Sequence, residues 1–342
     1  VHIHALTLDR GGCFHYRIRQ PLTALRDLGH TTSWGSGVDF ETWDRANVII
    51  GQYLHDQRTA DDWCRWAEDP TKLLVWEADD DIFSVHNVTA HGNAYDDPAT
   101  LPRMVRMLET AHLVTVTTET LADVYRPYNP HVVVLPNCVP DWLTEIDPLH
   151  YRYPKLDDFT IGYTGSASHY EDFLEWTPIL NNWMRFNSHR TRLKLFGHNG
   201  RPTGAPLSYR IETTPWQKDT ATYLRSLNGA MDVGVAFLND TEFNAGKSPI
   251  KAMEYAALGI PCVATDHPIY RDVIIDGVTG FLCKTSQQWH QALRRLADDI
   301  PLRMIMGQNA RYHAEAEFKQ SQWAPAWEDA YTSAANLMGI KL

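Results

Sequence analysis

The chain has 342 residues, more than one hydrophobic core usually organises, so two domains of ordinary size are expected. Hydrophobic residues make up 44% and charged residues 21%, globular values that exclude a disordered or low-complexity chain. A net charge of −11 opposes broad attraction to phosphate backbones or anionic lipid and leaves room only for a local basic patch.

Residues 1–8 open directly into the alternation Val1, Ile3, Ala5, Leu6, with no basic leader, and no later apolar run reaches membrane-spanning length. A cytoplasmic protein without stable membrane insertion is expected. Short apolar runs at 48–50, 73–76, 113–116 and 132–135 then alternate with helical stretches such as 19–28, the rhythm of an α/β domain with a parallel sheet. After Pro136-Asn137 the chain up to Pro154 carries Pro140, Pro148 and aromatic residues without a clear period, which marks a linker. A second α/β rhythm follows at 159–163, 193–196, 233–237, 262–264 and 281–282. Residues 301–342 read as helix with a break near 317–320, and the last piece, with Trp323 and Trp327, is expected to return to the first domain. Five widely spaced cysteines without a CxxC pair predict a reducing compartment and no structural zinc.

Doubly wound sheets bind ligands at the C-terminal edges of their strands. Glycine turns occur there: Gly11-Gly12 after the first run, and Gly162-x-x-Gly165 after the first run of the second domain. Each lets backbone approach a phosphate or sugar, and each is equally readable as a tight turn. A complete GxGxxG is missing, which counts against a dinucleotide oxidoreductase.

Residues 243–261, FNAGKSPIKAMEYAALGIP, carry the most information. Ser248 is the expected N-cap of a helix, Pro249 suits its first turn, and Gly259 stands where a helix end wants a left-handed residue. Lys247 precedes the helix start, an arrangement suited to a diphosphate. Lys251 and Glu254 share a helix face; the glutamate could accept two ribose hydroxyls, or the two could form a surface ion pair.

The order of the segments resembles family-4 retaining glycosyltransferases of the GT-B fold over nearly the whole chain. RGGCFHYRIRQPLTALRDLGH resembles their first Gly-rich turn and helix, and LLVWEADDDIF a central strand and loop. VTVTTETLADVY and VVVLPNCV resemble the end of the N-terminal domain, FTIGYTGSASHYEDF the opening of the donor domain, and 243–283 the nucleotide-sugar site. The resemblance implies two Rossmann-like domains facing across a cleft, with the C-terminal helix packing back on the N-terminal domain. Residues 1–150 would form the acceptor-side domain, 151–318 the donor domain and 319–342 the returning helix. Glu254 would hold the donor ribose, Lys247 and Ser248 the diphosphate or sugar, and Gly165 a close approach to phosphate. Two departures stand out: Gly246 replaces a glutamate common in the family, and Ser166, Ser168 and His169 stand where many members carry Arg and Lys. Lys247 would then carry more of the phosphate charge.

Glu77, Asp79, Asp80 and Asp81 follow a strand, and three readings compete: a divalent-metal site, an acceptor-binding site, or a solvated acidic loop. GT-B enzymes set helix N-termini and basic side chains on the diphosphate, so no metal ligands are assigned and a divalent metal is not expected to be essential. Sixteen histidines show no metal-binding spacing; His15 and His169, just beyond the glycine turns, could touch phosphate or sugar. Trp216, after an expected turn at 213–215, borders the nucleotide base or is buried in the core.

The expected activity is therefore retaining, hexosyltransferase-type transfer from a nucleoside-diphosphate sugar, with no tightly bound cofactor. The catalytic candidates are Lys247, Asp80 and His169. The donor-binding candidates are Gly11, Gly12, Gly165, Ser166, Lys247, Ser248, Lys251 and Glu254. Asp79, Asp80, Asp81 and His15 are the acceptor-binding candidates. The acceptor is open among a glycan, a lipid, a protein side chain and a modified DNA base, so nucleic acid enters only as an acceptor substrate. A GT-B sugar-nucleotide epimerase and a noncatalytic nucleotide-sugar or glycan-binding protein are the alternatives.

Overall fold

The structure is a computed structural model that describes residues 1–8, 10–84, 95–148, 159–165, 169–197 and 211–342. The last part of the expected linker, 149–154, lies outside them. The chain forms two compact units. One comprises Val1–Cys138, Ala245–Ser248 and Gln320–Leu342; the other comprises Val139–Asn244 and Pro249–Lys319.

The first unit is built on six parallel strands, β1 (His2–Thr7), β2 (Thr31–Gly35), β3 (Val48–Gln52), β4 (Leu73–Ala78), β5 (Leu113–Val116) and β6 (Val132–Val134), in the order β2-β1-β3-β4-β5-β6. Successive side chains of a strand face opposite ways, and each face has its own core. Ile3, Val48, Ile50, Leu73 and Val75 pack with Leu22, Leu25 and Trp327, whereas Leu6, Ile49, Leu74, Trp76 and Val114 pack with Trp63 and Met107. Trp327 belongs to the helix Gln320–Met338, so the C-terminal helix packs on the N-terminal sheet as expected. The Arg17 guanidinium lies 4.9 Å over its ring, in cation–π contact.

The second unit has β7 (Phe159–Thr164), β8 (Thr191–Phe196), β9 (Ile211–Thr214), β10 (Val233–Ala236), β11 (Cys262–Thr265) and β12 (Gly280–Cys283), all parallel, in the order β12-β11-β10-β7-β8-β9. Chain order reverses between β7 and β10, the switch point at which such sheets open a crevice. Tyr163, Leu193, Val235 and Val263 pack into one core with Phe173 and Trp289, and Ala236, Cys262 and Ala264 into another with Tyr255 and Leu258. Thr213 and Thr214 belong to β9, so the expected turn at 213–215 is corrected to a strand end. Helices at Ile300–Glu317 and Gln320–Met338 reproduce the expected break. Among the described residues no helix is long and apolar enough to cross a membrane.

Candidate active site

The helix Ile250–Ala257 is held against the second sheet by one aromatic residue. The Tyr255 ring lies on Gly234 of β10 so closely that a Cβ there would sit 2.3 Å from it. Its hydroxyl is 2.9 Å from Thr164 Oγ1 and accepts the Thr164 N–H at 3.1 Å, which ties the helix to the end of β7. Gly259, at φ 72°, ends the helix in the left-handed conformation expected of it. Glu254, the residue before Tyr255, is 3% exposed and accepts the Tyr223 hydroxyl at 2.8 Å, so it is no half of a surface ion pair. Lys251 is half-buried one turn earlier, and its charge helps hold Asp172 ionised. The N-cap is Pro249, not Ser248, because Asn137 donates its amide to the Ser248 hydroxyl at 2.8 Å.

At the end of β7 the Gly165 N–H bonds the Phe196 carbonyl at 3.1 Å, and the Gly165 carbonyl would lie 2.2 Å from a Cβ on Gly197, itself at φ 89°. Trp216 flanks Gly197 and is 50% exposed, so it lines the rim of this edge and is not a core residue. Ser166 and Ser168 lie outside the described residues. His169 caps the helix Tyr170–Asn187, and its Nδ1 is 3.0 Å from Asp172 Oδ2. The other Asp172 oxygen accepts the Asn239 N–H and the Asn244 amide, each at 2.9 Å. Burial alone would raise the Asp172 pKa, but the bonds from His169 and Asn239 and the His169 and Lys251 charges hold it below its ordinary value.

In the first unit the chain leaves β1 through Gly11 and Gly12 and winds His15–Arg19 as a π-helix, a distortion that recurs at functional sites. A Cβ on Gly12 would meet nothing within 4 Å. His15 is 7% exposed and packs edge-on to Tyr16. Arg17 is fully buried: Nε donates to Glu77 at 2.6 Å, and Nη1 to the Leu135 carbonyl at 2.5 Å and to Asn137 Oδ1 at 3.2 Å. Burial pushes the Glu77 carboxyl up, and Arg17 and the Thr115 hydroxyl oppose that shift. Glu77 therefore belongs to an internal ion pair and leaves the acidic run.

The run itself is not a solvated loop, since Asp80 and Asp81 are buried and Asp79 is half-buried. Asp81 is engaged by its own turn, accepting the Phe83 N–H at 2.8 Å and the Ser84 hydroxyl. Asp79 accepts the hydroxyl of Tyr53, which stands just past β3 at φ 54°, a strained value for a non-glycine residue. Burial, and then the Asp80 charge, lift the Asp79 pKa, against hydrogen bonds from Tyr53 and Cys13. Asp80 binds Lys247 Nζ at 2.5 Å. Burial would lower the Lys247 pKa, but the charge and hydrogen bond of Asp80 raise it above its ordinary value. The Thr118 hydroxyl donates to the Gly246 carbonyl at 3.2 Å, so Gly246, Lys247 and Ser248 each make a contact within the first unit. Among the described residues no group of three or more His, Cys, Asp or Glu side chains has an arrangement that could hold a metal ion.

Sequence reasoning missed Asp172, Tyr223, Tyr53 and Asn137. The HxxD spacing from His169 to Asp172 across a helix start was a usable signal. Tyr223 and Tyr53 meet their carboxylates 31 and 26 residues away, and nothing local announces such pairs.

Residues 242–313 match the family described as Glycosyl transferases group 1. The chain is 37% identical over 93 residues to D-inositol 3-phosphate glycosyltransferase of Corynebacterium aurimucosum, a stretch that covers 27% of this chain and 21% of that protein. Over almost the full length it is similar in structure to HepE of Anabaena in complex with UDP and glucose, with TM-score 0.69, 14% identity, and coverage of 97% of this chain and 99% of that one. It is similar also to sucrose-phosphate synthase of Thermosynechococcus elongatus, with TM-score 0.68, 16% identity, and coverage of 98% and 99%.

Proposed function

We propose that this chain, which has the two-domain α/β GT-B glycosyltransferase fold, moves a sugar from a nucleoside-diphosphate sugar to a hydroxyl acceptor with retention of anomeric configuration. The observation that carries the reading is Glu254: a carboxylate 3% exposed, on a helix inside the segment matched to glycosyl transferases, with one oxygen on the Tyr223 hydroxyl. A carboxylate can accept two hydroxyl donors at once, the pattern that a ribose diol presents.

In this reading Glu254 holds the ribose. Gly165 lets backbone approach the diphosphate, and His169, Lys247 and Ser248 supply donors to it. Lys251 acts on the same site through its charge. As the bond from the anomeric carbon to the diphosphate lengthens, negative charge grows on the leaving oxygen, and fixed donors stabilise it without reorganisation. Asp79 and Asp80 are assigned to the acceptor, as carboxylates able to accept a hydroxyl proton bond; a front-face route, with attack from the side the diphosphate leaves, needs no protein nucleophile. Gly11 and Gly12 are assigned to the donor as the backbone turn after β1, and His15, packed edge-on to Tyr16, to the acceptor. A divalent metal has no assigned role, and the nucleotide sugar is the donor co-substrate.

The test is a panel of nucleotide sugars scored by nucleoside diphosphate release with candidate glycan, lipid, protein and nucleic-acid acceptors, then product mass and anomeric configuration by NMR. An inverted product sinks the retaining assignment. Interconversion of the donor sugar without a transferred product identifies an epimerase, and binding without release under any acceptor identifies a noncatalytic receptor.

A further inference from the structure

In the first unit one amide stands between a buried cation and a serine of the proposed donor segment. Asn137 accepts from Arg17 Nη1 through Oδ1 at 3.2 Å and donates through Nδ2 to the Ser248 hydroxyl at 2.8 Å. The oxygen and nitrogen of an amide are nearly the same size, so its orientation is set by what each end meets. A guanidinium carries donors only and stays charged, so the amide atom that faces Arg17 has to be the oxygen. Arg17 is itself fixed. Its Nε and Nη2 lie on Glu77 at 2.6 and 3.2 Å, its Nη1 also serves the Leu135 carbonyl, and its side chain is fully buried. The backbone that carries Asn137 is pinned too, since the Cys138 carbonyl accepts the Gln20 amide at 2.8 Å.

The consequence reaches Ser248. With Nδ2 of Asn137 donating, the Ser248 oxygen is the acceptor in that bond, and its own proton points elsewhere. Ser248 is half-buried, and among the described residues its side chain makes no other hydrogen bond. A serine of the opposite polarity, giving its proton to a protein oxygen, would present only lone pairs to an incoming phosphate, whose oxygens are acceptors.

We infer that Asn137 is a positioning residue: with its amide orientation set by Arg17, it holds the Ser248 oxygen as an acceptor and commits the Ser248 proton to a phosphate oxygen of the sugar donor. The inference rests on the donor-site reading above, which assigns Ser248 to the diphosphate. Asn137 touches no substrate in this account. It acts by fixing which way a hydroxyl bond runs, and the buried Arg17–Glu77 pair acquires a role at the donor segment through it.

Asn137→Asp tests this because it keeps the shape and the acceptor for Arg17 but replaces the N–H donor with an oxygen, so Ser248 turns its proton inward. UDP-glucose and GDP-mannose are titrated calorimetrically into the full chain at about pH 8, where an aspartate beside Arg17 is ionised. Ser248→Ala and Asn137→Asp should each weaken binding about tenfold, and the double variant should bind about as Ser248→Ala does. A further loss of about tenfold in the double variant would mean that the added charge or a disturbed segment is responsible, which overturns the polarity account. Asn137→Asp binding as wild type overturns it as well. Asn137→Ala, which leaves the hydroxyl free to rotate, carries the same comparison should the aspartate variant not fold, with a loss of about threefold expected and no loss overturning the inference. Glu254→Ala separates the two ideas. If it weakens binding while Ser248→Ala does not, the donor site stands and the role of Asn137 falls; if it binds as wild type does, the donor-site reading fails. If neither sugar nucleotide binds wild type, both fall together. The bond is read without ligand by NMR on protein labelled with 15N-asparagine: the Asn137 amide signals, identified by their loss in Asn137→Asp, should shift in Ser248→Ala, and unchanged signals overturn the link between the two residues.

Discussion

The two units place carboxylates at the C-terminal edges of their sheets in different ways. In the first, each acidic side chain is closed by a partner of its own unit: Glu77 by Arg17, Asp79 by Tyr53, Asp80 by Lys247. In the second, Glu254 receives a neutral hydroxyl, and Asp172 is fixed by N–H donors and an imidazole. The Arg17–Glu77 and Lys247–Asp80 pairs each bring a cation to a carboxylate, and such a pair binds a ligand only when the ligand replaces one partner, whereas the Tyr223 hydroxyl brings no opposite charge to Glu254. Under the proposed function, the first unit would bind by exchange and the second by direct recognition.

The sharpest way to break this contrast is to open the deepest pair. Arg17→Met leaves Glu77 buried without its cation and should cost about 3–5 kcal/mol in urea unfolding, whereas Arg17→Met with Glu77→Leu should recover much of that loss. If the single variant unfolds like wild type, the pair is not the structural element described here. Next comes the second unit: Glu254→Ala should reduce kcat/KM about 100-fold, about 2.7 kcal/mol of transition-state stabilisation, with an unchanged melting temperature. Normal kinetics would remove Glu254 from the donor site.

What was legible in the sequence follows the same division. Among the described residues ten strands announce themselves as apolar runs, and the two that do not, β2 and β9, each lie at one edge of their sheet. Their sequences TTSWG and IETT face partial solvent, so burial imposes no apolar pattern on them. The helix Ile250–Ala257 was readable from Pro249 and Gly259, because proline and glycine act through their own backbone. Ser248 misled as an N-cap because a residue 111 positions away occupies its hydroxyl. The acidic run was visible as composition, but its division into a core ion pair, a loop turn and two carboxylates met by Tyr53 and Lys247 depends on Arg17, Ser84, Tyr53 and Lys247, partners that local spacing does not specify.

A middle-sized effect should come from the exchangeable pair. Lys247→Ala should lower kcat/KM about tenfold, because Lys247 would otherwise serve the diphosphate. Asp80→Asn releases the ammonium and should lower the donor Kd severalfold while slowing transfer, since it removes a carboxylate assigned to the acceptor. Equal weakening of donor binding by both substitutions would mean that Asp80 and Lys247 act as one fixed unit and not as partners that part.

The smallest effect tests the strained residue whose hydroxyl donates to Asp79. Tyr53→Phe keeps the ring and removes the hydroxyl bond to Asp79, at a stability cost of about 1 kcal/mol. Asp79 already has a folded pKa above its ordinary value because burial and Asp80 disfavour its charge, and the Tyr53 bond works against that rise. Its raised folded pKa means that the folded state prefers the protonated acid, so ionisation of Asp79 removes stability as pH climbs from the ordinary carboxylate value through the folded one. Without the hydroxyl the folded pKa rises further and that window widens toward neutral pH. The acid limb of kcat should then move to higher pH in Tyr53→Phe and disappear in Asp79→Asn, where the titrating group is gone. An acid limb that persists unchanged in Asp79→Asn would assign it to a different carboxylate and leave Tyr53 as a purely structural turn.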